Sequence, residues 1–202
     1  RRAGIFLAAT ALATVASFGL FLTRDVTVKL LPFDNKSEMQ VVMDLPEGAS
    51  LERTERTLFT AAGRLATVPE ITHIQAYAGT AAPFNFNGLV RHYYLRDAPH
   101  QGDLKINLTE KGARKRQSHA IALEVRERLQ GLDAPEGTTF TVAEVPPGPP
   151  VLSTLLAEVY GPDAESRRAA ARRLAELYRE VPFIVDVDTS FGRTQERLRL
   201  TV

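Results

Sequence analysis

The run "QVVMDLPEGASLERTERTLFTAAGRLATVPEITHIQAYAG" (residues 40–79) holds three elements in sequence, and its reading decides the fold. Gln40 to Leu45 is apolar and β-branched enough for a strand, which Pro46-Glu47-Gly48 ends. Ser50 then has the chemistry of a helix N-cap, with Glu52 placed near the positive end of the helix dipole. Leu51, Leu58, Ala61, Ala62 and Leu65 recur at helical spacing, so a helix is predicted from Leu51 to about Thr67. Pro69 closes it, and Ile71 to Tyr77 reads as the next strand.

Downstream, Val90 to Arg96 and Asp103 to Leu108 read as strands, Arg114 to Gln130 as a helix, and Thr138 to Val145 as a last strand. The order is that of an α+β, ferredoxin-like β-α-β-β-α-β body, with two helices on one face of an antiparallel sheet. The prolines of "VPPGPPVLS" (145–153) bias the chain toward extended linker conformations. Beyond them the pattern of 40–79 returns. A strand over 156–161 meets a Gly/Pro turn, and a helix carries Ala170, Leu174, Leu177 and Tyr178 on one side. Val181-Pro182-Phe183-Ile184 then leads into an expected strand ending at Gly192, as Val68-Pro69-Glu70-Ile71 leads into one ending at Gly79. This is an expected internal repeat; the plain alternative is that any two β-α-β units look alike. "QERLRLTV" (195–202) alternates as a half-buried strand, and a fragment cut inside a second, partial β-α-β unit is expected.

At the other end, Ala3 to Leu22 is apolar with no charge between Arg2 and Arg24. A helix of about twenty such residues spans a hydrocarbon core of roughly 30 Å. A signal peptide is the competing reading, since Ala11-Leu12-Ala13 would serve as a cleavage site, although the apolar run continues past it through Phe18, Leu20, Phe21 and Leu22. If it spans, Arg1 and Arg2 favour leaving that end in the cytoplasm and everything from about residue 26 outside. The expected division is a transmembrane helix over 1–25, a first subdomain over 26–146 and the partial unit over 147–202.

Composition narrows the chemistry. The 202 residues are 44% hydrophobic, and 25 basic against 24 acidic residues leave a formal charge of +1. Such a balance gives no field to draw in nucleic acid. There is no cysteine, which excludes disulfides, thiolate metal sites and cysteine nucleophiles. His73, His92, His100 and His119 are not paired at metal-ligand spacing, and neither a nucleophile-elbow nor a phosphate-cradling glycine motif occurs. No enzyme activity and no cofactor or metal are expected. Lys111, Arg114, Lys115 and Arg116 lack interleaved aromatics and read as a solvated helix end rather than a phosphate site.

One loop stands apart. "GTAAPFNFNG" (79–88) sets Phe84 and Phe86 between Gly79 and Gly88, where a polar turn is the norm. Such rings suit contact with hydrophobic ligands or a partner subunit; equally, they would tuck into the local core.

Together, the apolar helix with basic residues before it, "LPFDNKSEMQVVMDLPEGASLERTERT" (31–57) and "VPPGPPVLSTLLAEVYGPD" (145–163) resemble the second half of a resistance-nodulation-division (RND) efflux permease of the hydrophobe/amphiphile type. The pattern of that family near its first strand is met by Leu31-Pro32, Asp34 and Pro46-Glu47-Gly48. The resemblance covers essentially the whole chain. It implies a seventh membrane helix followed by periplasmic porter subdomains, in a homotrimeric, proton-driven multidrug pump of the bacterial inner membrane. Its implied partners are a periplasmic adaptor, an outer-membrane channel, the lipid bilayer and hydrophobic or amphiphilic small molecules. It places Gly79, Phe84, Phe86 and Gly88 at the family's switch loop in the substrate path, with fewer glycines than the common pattern. The family's proton relay lies in other membrane helices, so this segment would not pump alone; the competing reading is a self-contained membrane-tethered periplasmic interaction or ligand-binding module without proton coupling. With Met39 and Met43 the only methionines, metal export is less expected than amphiphile export.

Overall fold

The computed structural model describes residues 2–23, 25–26, 34–83, 86–145, 152–153 and 155–191. The chain divides into two compact units, Arg1–Phe33 and Asp34–Val202.

In the first unit, helix α1 (Arg2–Leu22) buries none of its residues and is long and apolar enough to cross a membrane. Its few hydroxyls are satisfied within the helix: Thr10 and Thr14 donate to the carbonyls of Phe6 and Thr10 at 2.9 Å, and Ser17 to that of Thr14 at 2.7 Å. Bonding back to the preceding turn removes the cost that a bare hydroxyl would carry in an apolar solvent.

The second unit is built on β1 (Glu38–Asp44), α2 (Leu51–Leu65), β2 (Ile71–Ala78), α3 (Phe86–Val90), β3 (Gln101–Leu108), α4 (Ser118–Gln130), β4 (Thr139–Glu144) and α5 (Ala164–Arg179). The four strands form one antiparallel sheet in the order β2-β3-β1-β4, so each helical crossover skips over one strand. This is the ferredoxin-like arrangement expected from the sequence. Met39, Val41 and Met43 of β1, Leu104, Ile106 and Leu108 of β3, and Val142 of β4 turn to one face. There they pack against Leu58, Ala61 and Leu65 of α2 and Ile121, Ala122, Val125 and Leu129 of α4. Contact is close enough that a Cβ on Gly102 would stand 2.7 Å from Leu58 Cδ1, so any larger residue there would push the Leu58 side chain out of its place.

The helices begin where their caps dictate. The Ser50 hydroxyl accepts from the Arg53 N–H at 3.4 Å, and the Asp163 carboxylate accepts from the Ser166 N–H at 2.8 Å. Helix α4 starts at Ser118 rather than at Arg114, because the preceding arginines are drawn into other bonds. Arg114 donates to Asn35 Oδ1 at 2.6 Å and to the Thr109 carbonyl at 2.9 Å, while Asn35 Oδ1 also accepts from the Ser118 N–H at 2.8 Å. Arg116 bonds Glu70 and Glu124, both at 2.5 Å, and these bonds hold the two carboxyls below the usual glutamate range. The basic cluster is therefore no solvated helix end: Arg114 and Arg116 staple the approaches to β1 and β2 to α4, while Lys111 and Lys115 are exposed.

Three expected strands do not form. Val90 to Arg96 closes α3 and passes into a 3-10 turn at Tyr93–Leu95. The β-rich composition of that stretch is overridden by the bonds of Arg96, described below. In the repeat, residues 156–161 and 184–190 have no strand pairing, and only α5 takes regular structure among the described residues. At the outer edge of β4 the Val142 N–H donates to Asp186 Oδ2 at 3.3 Å, and the Val142 carbonyl accepts from Arg126 Nη2 at 2.8 Å. Side chains thus take the positions that a fifth strand would need. "QERLRLTV" lies outside the described residues.

Candidate functional site

The link between β2 and β3, residues 79–100, is where the sequence placed its candidate residues. Gly79 sits at φ +64°, and a Cβ there would stand 2.6 Å from Leu51 Cδ1. Its backbone turns the chain out of β2 while its N–H donates to the Gln101 carbonyl at 2.8 Å. Gly88 is buried within α3. Phe86 opens that helix, but its side chain, like the whole of Phe84, lies outside the described residues. The geometry accordingly brings the two glycines into one connection.

What holds this connection was not read from the sequence. On β3 the residues opposite the helix-facing set are Gln101, Asp103, Lys105 and Asn107, an alternation that looks solvent-facing. Asp103 is nonetheless fully buried. Its Oδ1 accepts from Arg96 Nε at 3.1 Å, and its Oδ2 accepts from the Ala82 N–H at 3.1 Å. Arg96 fans out further, donating through Nη1 to Asp44 at 3.0 Å and through Nη2 to the Met43 carbonyl at 2.8 Å. Burial pushes the Asp103 carboxyl above the usual aspartate range. Arg96 and the Ala82 N–H oppose that shift, and the Asp44 charge adds to it. Tyr77 is its register partner on β2, and Lys105 follows two positions along the same face, with Nζ donating to the Pro83 carbonyl at 3.4 Å.

Two further bonds fix the return limb. Thr54, buried on α2, donates to the Pro99 carbonyl at 2.7 Å, and the Leu45 N–H donates to the His100 carbonyl at 2.9 Å. The signal that could have disclosed this network is a lone acid in a strand together with an arginine shortly before it; the assignment of residues 90–96 to a strand concealed the pairing. Among the described residues no group of three or more His, Asp or Glu side chains could hold a metal ion. The arrangement positions a connection.

An exposed apolar helix ahead of a split β-α-β body defines the class of fold. Within that class, the chain is similar to a heavy metal efflux pump solved in two crystal forms. The TM-scores are 0.60 and 0.56, at 18% identity over 87% of this chain in each case. The chain spans 18% of the length of that pump, and the likeness is one of fold. No protein-family model and no curated protein matches the sequence.

Proposed function

We propose that this chain is the seventh membrane helix and adjoining porter region of an RND-type, proton-driven efflux permease, working by transport rather than catalysis. The observation that carries the reading is the fold shared with an efflux pump over 87% of the chain, and the apolar helix α1 is long enough to cross a membrane. On this reading α1 lies in the bacterial inner membrane and residues from about 26 onward lie in the periplasm. The intact permease is a homotrimer working with an adaptor and an outer-membrane channel. Gly79, Phe84, Phe86 and Gly88 border the path of a hydrophobic or amphiphilic cargo.

Export of a heavy metal is a second reading, favoured by what the similar pump carries. Against it, Met39 and Met43, the soft ligands this chain has, are 2% and 0% exposed in the core and face the helices. Deleting the gene and measuring susceptibility to a panel of amphiphiles and of metal salts tests both. Hypersensitivity to amphiphiles, reproduced by Phe84→Ala with Phe86→Ala at unchanged expression, supports the first. Hypersensitivity to metal salts alone supports the second, and no change in either panel overturns the transport reading.

A further inference from the structure

We infer that Asp103 is a clasp: through its two oxygens, one buried carboxylate fixes both limbs of the β2–β3 connection to the sheet. The outgoing limb is held at Ala82, whose N–H meets Oδ2, and the returning limb at Arg96, whose Nε meets Oδ1. One side chain thereby bonds both limbs, beside the bond of Lys105 Nζ to the Pro83 carbonyl on the outgoing limb and those of Arg96 to Asp44 and the Met43 carbonyl on the returning one. Physical chemistry favours this division of labour. A carboxylate taken fully out of water is costly unless both oxygens are bonded, so release of either limb leaves one buried oxygen without its donor. Arg96 is the natural second member, because its planar fork reaches Asp103, Asp44 and the Met43 carbonyl at once, which a lysine would not. The other bonds of the return limb, at Pro99 and His100, lie beyond Arg96 and do not reach the outgoing limb. Asp103 is thus a positioning residue for the connection, and it stands on the geometry of this chain independently of the cargo.

The test is hydrogen exchange of the intact protein, read at Ala82, across residues 86–96, and at the strand core around Leu104 and Ile106. Asp103→Ala removes both acceptors, so exchange at Ala82 and across 86–96 speeds by about tenfold or more, while the strand core changes by less than about threefold. Asp103→Asn retains one oxygen for the Ala82 N–H but presents an NH2 group to Arg96. It frees 86–96 and leaves Ala82 within about twofold of the parent. Arg96→Ala gives the same split, and it carries the test if Asp103→Ala does not fold. The clasp is overturned if Arg96→Ala and Asp103→Asn leave 86–96 unchanged. It is equally overturned if they free Ala82 as much as 86–96, or if the strand core accelerates by the same factor as the connection. Because no cargo is measured, failure here leaves the transport reading standing, and failure of the susceptibility panel leaves the clasp standing.

Discussion

Helices α2 and α5 start from nearly the same instructions and end in different surroundings. Each has an oxygen-bearing cap, an acid in its first turn, an arginine in its last, and a Val-Pro-x-Ile exit. Yet α2 buries Thr54, Thr57, Leu58, Ala61 and Leu65, whereas α5 buries Ala175 alone. Leu177 stays 42% exposed. Local sequence is sufficient to start and stop a helix, but what the helix leans on depends on whether the strands at its two ends find partners. For α2, β1 and β2 pair with β3 on either side of it. Among the described residues the segments flanking α5 form no strand pairing, and Asp186, at φ 54°, spends its carboxylate on β4.

The contrast can be broken most forcefully at the apolar stripe. Leu58→Ala is expected to lower protection of the β1 and β3 amides by about 2–5 kcal/mol, since it empties a packed site against Gly102. Leu177→Ala should change amide protection by less than about 0.5 kcal/mol, as an exposed side chain has little burial to lose. Equal effects in native-state hydrogen exchange would erase the distinction between the two helices. Next in size is the contact that joins the second repeat to the sheet. Asp186→Ala leaves the Val142 N–H without its acceptor and Arg126 without one of its carboxylates, and is expected to cost about 1–3 kcal/mol in protection at Val142. A smaller effect belongs to the cap: Ser50→Ala should cost about 1 kcal/mol in the first turn of α2, read from the same exchange data.

The smallest effects separate the two regions by pH. Asp163 at the α5 cap has its carboxyl lowered from 3.8 by its bonds to Ser166. The stability it contributes is therefore present above that value and lost as pH falls through its depressed pKa, so α5 frays in acid. Asp103 is shifted the other way, raised from 3.8 chiefly by burial against the opposing charge of Arg96, with Asp44, Tyr77 and Lys105 as its other titratable neighbours. Its contribution to folding is fully present below 3.8 and is lost as pH rises through the raised value, so the strand core around Leu104 gains protection on acidification. Exchange rates corrected for intrinsic pH dependence should move in opposite directions at Ser166 and at Leu104. Movement in the same direction would remove this second difference between the regions.

Much of the body was legible because its signals are local. Ser50, the stripe through Leu58 and Leu65, and the break at Pro69 each act within a few residues, and the strand-helix order then restricts topology to few choices. The connection was less legible because its determinants are distant partners. Val90, Tyr93 and Tyr94 carry strand-forming side chains, but Arg96 is committed to Asp103 and Asp44, and the backbone follows the guanidinium. His92 at φ 57° is another mark of that detour, with no glycine in the sequence to announce it. Arg114 and Arg116 mislead in the same way, reading as surface charge until Asn35, Glu70 and Glu124 come within reach.

The pair of side chains on Val142 also sets how large the sheet can grow. An exposed strand edge is an invitation to further chains, and proteins that expose one risk templated association. Here the amide and carbonyl at the middle of that edge already have their bonds with Asp186 and Arg126. A passing strand would have to evict a carboxylate and a guanidinium that are also bonded to each other, and would gain only ordinary ladder bonds in return. The four-stranded sheet is thus terminated on this side by occupied valence, and overproduction of the protein should not seed β-type aggregates from β4.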